Sequence, residues 1–293
     1  MPVPTADVDL HTHSTASDGA LTPAALVALA AERGLRLLAL TDHDTVRGVA
    51  EAQEAGRRLG VAVLPGIEIS GRFPAGQCHL LAWLPDPIPA DFEAWTHAKE
   101  RERDERAREM VERLRAIGSA ITWEDVRARA AGNIGRPHIA DALVEAGEAA
   151  DRHDAFERLI GRDGPGYVPS GKVAPEDAVA LAVAAGALVA LAHPYTLELD
   201  DESLDRFVAR LAGAGLGAIE AHRGDQDPAR QAAYRALARR HGLAVSTGSD
   251  FHDVAREGER GRSLGEVDSP GISADDLEEL LSRLPGARGA LAG

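Results

Sequence analysis

Short apolar runs rich in leucine and β-branched residues alternate along this chain with longer amphipathic stretches. The runs at 6–11, 35–41, 61–70, 78–84, 187–193, 216–221 and 243–249 have strand length and predict seven strands. Segments 23–33, 45–59, 175–185, 202–213 and 228–241 carry helical spacing between them. In "LTPAALVALAAERG", Thr22 stands at the cap, Pro23 at the first helical position and Gly34 just past the end. "VAPEDAVALAVAAGA" repeats that grammar, and Asp44 reads as the cap of the helix over 45–59. Strand and helix in alternation predict an α/β fold on a parallel sheet. After "LPDPIPAD" the rhythm stops, and residues 91 to about 165 read as helical without a strand. A barrel built from 1–88 and 168–293, interrupted by a helical insertion at 89–167, accounts for this pattern.

Within the insertion, "KERERDERARE" (99–109) is almost wholly charged. Acids and bases interleave there at i,i+3 and i,i+4 spacing, which predicts a solvated helix face rather than a nucleic-acid arm. A chain of 293 residues can bury a large core, as one α/β barrel or as two smaller domains. Its net charge of −15 argues against binding duplex nucleic acid or an anionic membrane. A small anionic substrate stays compatible if bound metal ions invert the local field. No apolar run approaches the ~20 residues of a membrane span. The start "MPVPTADVDL" has no secretory signal pattern, and Cys78 is the single cysteine. A reducing, cytoplasmic setting without internal disulfides is the expectation. Cys78 itself reads as a small apolar filler pointing away from His79.

The histidines change the picture. His11 and His13 end the first predicted strand, and i and i+2 residues of a strand share a face, so both imidazoles aim at one place. His43 lies beyond the second strand, His193 beyond "ALVALA", and His252 in "GSDFH" after the last. Strand C-terminal ends collect on one face of a β-α barrel, where active sites are built. Acids occupy similar places: Asp18, Asp42, Glu68, Glu220 and Asp250. His79 falls at a strand start, but the chain turns back over "GRFPAGQ" and can return it near Glu68. Imidazole with carboxylate and no thiolate suits Zn, Mn or Fe, and several carboxylates suit more than one ion. Asp9 shares the face of His11 and His13, as an acceptor for a ligand imidazole or for backbone, and Asp42 allows the first role too. His97, His153 and His241 fall on predicted helices and read as surface residues.

The set HTH…SDG, TDHD, GIE, CH, AHP and GSDFH resembles the polymerase and histidinol phosphatase (PHP) family of metal-dependent phosphoesterases. The resemblance implies a distorted (β/α)7-type barrel holding two or three divalent ions. Carried over motif by motif, His11, His13, Glu68 and Asp250 hold one ion. Glu68 bridges to a second ion held also by His79 and His193, while Asp18, His43 and His252 hold a third. Glu68, Asp250 and His193 are on this reading the residues closest to the chemistry, which is hydrolysis of a phosphate ester by water activated at the ions.

The implied substrate is a small phosphorylated molecule, such as a nucleoside 3′,5′-bisphosphate, or a short oligonucleotide end. Histidinol phosphate or another small phosphomonoester is the alternative, and a metal-stabilised module without turnover the second. Arginine suits phosphate through its planar fork, and helix N-termini favour anions. Arg136 and His138, in "GRPHIADALVEAG", are therefore expected to touch substrate. Lys172 resembles a lysine that many PHP proteins carry just before the "PED" helix, which implies a substrate-facing role, and His222 and Arg223 follow a strand end and are further substrate candidates. "GYVPSGKV" lacks the hydroxyl residue after its lysine and the leading strand that a phosphate-binding P-loop needs.

Overall fold

All seven predicted runs are strands in the computed structural model: β1 Val8–Thr12, β2 Leu37–Leu40, β3 Ala62–Gly71, β4 Cys78–Trp83, β5 Leu188–Leu191, β6 Ala218–His222 and β7 Ala244–Thr247. The structure describes residues 7–74, 76–129, 134–169, 171–224, 226–256, 263–265 and 272–287. Ala6 of the first predicted run, Ala75 of the "GRFPAGQ" turn, 130–133 of the predicted insertion, Ser170 and the two chain ends lie outside them. The strands form one sheet in chain order from β1 to β7. The expected all-parallel sheet is corrected: β4 runs antiparallel to both β3 and β5, while the remaining neighbours are parallel. A parallel crossover needs a dozen or more residues, and only 72–77 separates β3 from β4.

The segment after β7 lies along β1. Asp250 N donates to His11 O at 2.8 Å and His13 N to Phe251 O at 2.9 Å, so the two ends of the sheet meet. Outside the strands lie α1 Pro23–Glu32, α2 Val49–Leu59, α7 Pro175–Ala184, α8 Asp201–Gly213, α9 Pro228–Arg240 and α10 Ala274–Arg283. Helices α3 Ala90–Ala116, α4 Trp123–Arg127, α5 Arg136–Glu145 and α6 Arg152–Ala155 fall in the predicted helical stretch. Thr22 caps α1 by accepting from Ala25 N at 3.2 Å. Asp44 does not cap α2, which starts four residues later than expected. Its backbone is left-handed (φ +53°), and its carboxylate accepts from Ser70 N at 2.7 Å, which ties this loop to β3. Leu26, Val27, Leu38, Leu40, Ala52 and Phe251 are fully buried in the core between α1, α2 and β2.

The chain divides into two compact units, Met1–Ala94 with Lys172–Gly293 and Trp95–Gly171. The second unit starts later than the expected 89 because the first turn of α3 groups with the first unit, and it ends at Gly171 rather than at 167. The second unit has its own core, including Met110, Leu114, Ile121, Ile139, Leu143 and Ile160. The charges of 99–109 pair along α3 and onto nearby backbone. Lys99 meets Glu102 at 2.7 Å and Arg106 Nε donates to Val168 O at 2.8 Å.

Candidate metal centre

Strand geometry assembles the site within the first unit. His11 and His13 leave β1 on one face and bring their Nε2 atoms to 3.1 Å of each other. On β3, Glu68 N donates to Asp42 O and Asp44 N donates to Glu68 O, which sets His43 beside Glu68. In the β3–β4 ladder Ser70 faces His79, and Glu68 and Ser70 are two apart, so the antiparallel hairpin returns His79 to the face of Glu68. His193, Asp250 and His252 arrive from the segments beyond β5 and β7.

Glu68 stands at the middle, with its two oxygens facing different partners. Its Oε1 lies 2.8 Å from His193 Nε2 and 2.9 Å from His79 Nδ1. Its Oε2 lies 3.3 Å from His11 Nε2, 3.1 Å from His13 Nε2 and 3.1 Å from His43 Nδ1. Asp250 Oδ1 completes the Oε2 side, 3.2 Å from His11 Nε2 and 3.1 Å from His13 Nε2. A third group forms around Asp18: His252 Nε2 at 3.4 Å, with His43 Nε2 and His13 Nδ1 each at 3.8 Å. Ligand atoms close enough to share an ion occur in three sets: His11, His13, Glu68 and Asp250; His43, Glu68 and His79; and His13, Asp18, His43 and His252. His43 thus faces two of these sets, where the sequence reading gave it one.

The outer contacts fix which nitrogen points inward. His11 Nδ1 bonds Glu220 Oε1 at 2.8 Å, His193 Nδ1 bonds Thr196 Oγ1 at 3.0 Å, and His252 Nδ1 bonds Asp250 O at 2.8 Å. Each imidazole so held presents Nε2 to the site, the arrangement that orients metal-ligating histidines. Glu220 received no role from the motifs. Its signal was a carboxylate at a strand end, three residues before Arg223. Asp9 and Asp42 hold the surrounding loops instead of imidazoles. Asp9 accepts from Ser249 N, Ser249 Oγ and Gly265 N at 3.0, 2.6 and 2.9 Å. Asp42 accepts from Ser14 N, Ser14 Oγ and Ser17 Oγ at 2.8, 2.7 and 2.6 Å.

The donor set fits divalent cations. Glu68, Glu220 and Asp250 are carboxylates buried together with Arg223 as one fixed cation beside them. Burial alone raises a carboxyl, but the imidazoles of His43, His79 and His11 outweigh it and hold Glu68 well below the ordinary range. Burial lowers an imidazole, yet Glu220, Asp250 and Glu68 draw His11 up to about 10. Such a cluster calls for positive charge. Glu68 Oε2 is buried and makes no hydrogen bond of proper geometry, although three imidazole nitrogens crowd it. Nitrogens gathered about an oxygen without hydrogen bonding to it fit a ligand shell, as oxygen and nitrogen ligands ~2.0–2.2 Å from one ion would lie near van der Waals contact with each other.

Residues 9–161 match the PHP domain family. The chain is also 36% identical over 286 residues to a 3′,5′-nucleoside bisphosphate phosphatase of Chromobacterium violaceum, covering 95% of this chain and 98% of the relative. The chain belongs to the PHP family. A 5′-3′ exoribonuclease of Escherichia coli, Rnm, is 37% identical over 262 residues, 87% of this chain and 88% of that one. Among solved structures, a Bifidobacterium adolescentis protein assigned to the metal-dependent phosphoesterases superposes with a TM-score of 0.75. It is 34% identical, over 94% of this chain and 96% of its own. As a PHP protein the chain is a hydrolase of phosphoric ester bonds that depends on metal.

The expected substrate contacts of this PHP protein fall in several places. His222 is buried, with Gln231, Arg235 and Asp276 of α9 and α10 nearby, and the β6–β7 ladder shifts register between it and Glu220. Arg223 is fully buried and bonds the carboxylates of Glu220 and Asp250 at 3.3 and 3.1 Å, so it is a neighbour of the ligand groups. Lys172 lies near Cys78, whose thiol burial pushes up to about 12 against the pull of that lysine. Arg136 and His138 start α5 in the second unit. The Arg136 guanidinium lies 5.1 Å from the centre of the Phe156 ring, and His138 Nδ1 accepts from Gly135 N at 3.0 Å. His97 is half-buried, His153 is exposed, and His241 bonds Asp205 at 3.2 Å.

Proposed function

We propose that the chain hydrolyses the phosphate ester of a small nucleotide, such as a nucleoside 3′,5′-bisphosphate, or of a short oligonucleotide end, using two or three divalent ions of the Mn, Zn or Fe class. The observation that carries this reading is the split of the Glu68 carboxylate, one oxygen toward His79 and His193 and the other toward His11, His13 and Asp250. A carboxylate so placed serves as a bridge. Asp18, His43 and His252 form the third set together with His13. The names of the relatives, a nucleoside bisphosphate phosphatase and an exoribonuclease, support the nucleotide class of substrate.

When bound, such ions lower the pKa of a coordinated water from ~15.7 toward ~7 and neutralise charge on the phosphoryl oxygens. The chain's own residues do the rest. His11, His13 and Glu68 have no solvent exposure and form the floor of the site. The Asp18 side chain is half exposed, and those of His43, His252 and His79 are 18%, 14% and 12% exposed, which marks the side from which a phosphate enters. Lys172, Arg136 and His138 are proposed as phosphate contacts, on the resemblance to the family. A cytoplasmic setting agrees with one buried cysteine, and no helix among the described residues is long and apolar enough to cross a membrane.

A substrate panel tests the reading. Metal-stripped protein reloaded with Mn²⁺ or Zn²⁺ is expected to release phosphate or mononucleotide from nucleoside 3′,5′-bisphosphates or short RNA faster than from histidinol phosphate. The reverse ranking would move the chain to the small-phosphomonoester class. Absence of metal-dependent turnover on every member, including an aryl phosphate, would return it to a metal-stabilised module.

A further inference from the structure

Two of the residues that face Glu68 have backbone conformations that side-chain-bearing residues rarely adopt: His193 at φ +26° and Asp250 at φ +55°. Such strain persists only where the surroundings over-determine it. The same two buried side chains hold both. Glu220 Oε2 accepts from His193 N at 2.8 Å, and its Oε1 bonds His11 Nδ1 at 2.8 Å. Arg223 donates through Nη1 to Glu220 Oε2 at 3.3 Å and through Nη2 to Asp250 Oδ2 at 3.1 Å. Both side chains are fully buried.

We propose that Glu220 and Arg223 form one buried positioning pair that sets metal affinity on both sides of Glu68 at once. The proposal rests on the two-ion reading given above. His11 and Asp250 belong to the Oε2 side, and His193 to the Oε1 side. Glu220 reaches both sides, since its two oxygens hold His11 and His193. Arg223 divides the Asp250 carboxylate: Oδ2 is held by the guanidinium, leaving Oδ1 toward His11 and His13. Asp250 thereby offers one oxygen instead of two. Glu220 and Arg223 bond to His11, His193 and Asp250, so their action on an ion is through those three residues. A buried ion pair is weak evidence of a stability role, because apolar residues of similar volume often serve as well. Its persistence here is explained by what it orients.

Zn²⁺ titration of metal-stripped protein against a chromophoric chelator tests this, with thermal melting of the metal-free form run alongside. The proteins are wild type, Glu220→Gln, Arg223→Lys and the doubly apolar Glu220→Met with Arg223→Met. A glutamine presents one amide N–H₂ where a second acceptor is required, and a lysine cannot fork between two carboxylates. Each single variant is expected to bind both ions roughly 10–100-fold more weakly. The double removes both charges together, keeps the fold if a single variant loses it, and is expected to bind both ions weakly too, with less than the product of the single losses. Lower melting with unchanged affinities would overturn the proposal, as would weakening confined to one ion or wild-type binding by the double. Wild type taking up fewer than two ions would defeat the two-ion reading itself, and wild type's own titration tells that failure from the others.

Discussion

At the scale of single residues, the account turns on which oxygen of which carboxylate faces which imidazole. Glu68 separates two sets of nitrogens, so Glu68→Gln replaces one of two acceptor oxygens with a donor and breaks one side outright. Metal content should fall by at least one ion per chain. Turnover should fall by more than ~100-fold, because outer partners of ligands already cost ~10–100-fold. Elemental analysis and a phosphate-release assay read both, and full occupancy at near-native rate would remove Glu68 from the bridge. Arg136 makes a separate prediction. A charge-assisted hydrogen bond contributes about 1.5–3 kcal/mol, so Arg136→Ala should lose roughly tenfold to a hundredfold in kcat/KM on a nucleoside 3′,5′-bisphosphate. Its activity on an aryl phosphate should stay close to wild type. Equal losses on both would show that Arg136 acts on the scissile phosphate or on folding. Most of the residues that the structure gathers around Glu68 were legible because they sit in short motifs on or just beyond the strands. The particular partners of Glu220, Asp9 and Asp42 were not, because in these bonds they lie 27 to 240 residues away and no spacing records them.

At the scale of elements, the strands and five of the helices could be read from periodicity, whereas strand direction could not. A strand alternates with period two whichever way its neighbour runs. The clue was length, since 72–77 is too short for a crossover. Helix α10 escaped notice although Ser273 caps it by accepting from Asp276 N at 3.1 Å, because it is amphipathic but starts only at Ala274, far beyond the last predicted strand at 243–249. The seam between β1 and the segment after β7 depends on Gly248. A Cβ there would meet His11 Cβ at 2.3 Å and His11 N at 2.8 Å, both held by the sheet. Gly248→Ala should therefore destabilise the protein by about 1–3 kcal/mol, the usual range for overpacking. It should also displace His11 and lower metal content. Denaturant unfolding and elemental analysis of the purified variant check this, and native stability with full metal would show that the seam yields.

At the scale of the whole molecule, the ligand residues all lie in Met1–Ala94 and Lys172–Gly293, while Trp95–Gly171 has a hydrophobic core of its own. Leu143 is fully buried in that second core. Leu143→Ala should cost about 2–5 kcal/mol of stability there, while metal content stays at the wild-type level. Loss of metal together with that core would show that the centre depends on residues outside the first unit. The insertion was visible in sequence as an interruption of the strand rhythm. Its start was displaced by a few residues, because the first turn of α3 carries helical spacing like the rest of the helix and nothing in that spacing says where a packing unit begins. The central claim is that Glu68 joins two ions, and anomalous diffraction from crystals of the Zn²⁺-loaded protein measures it directly. The account predicts two anomalous peaks about 3.5–4 Å apart, one against each oxygen of Glu68. One of them should lie among His11, His13 and Asp250, and the other beside His79 and His193. A single peak at Glu68 at saturating Zn²⁺, or two peaks neither of which touches it, would contradict the account.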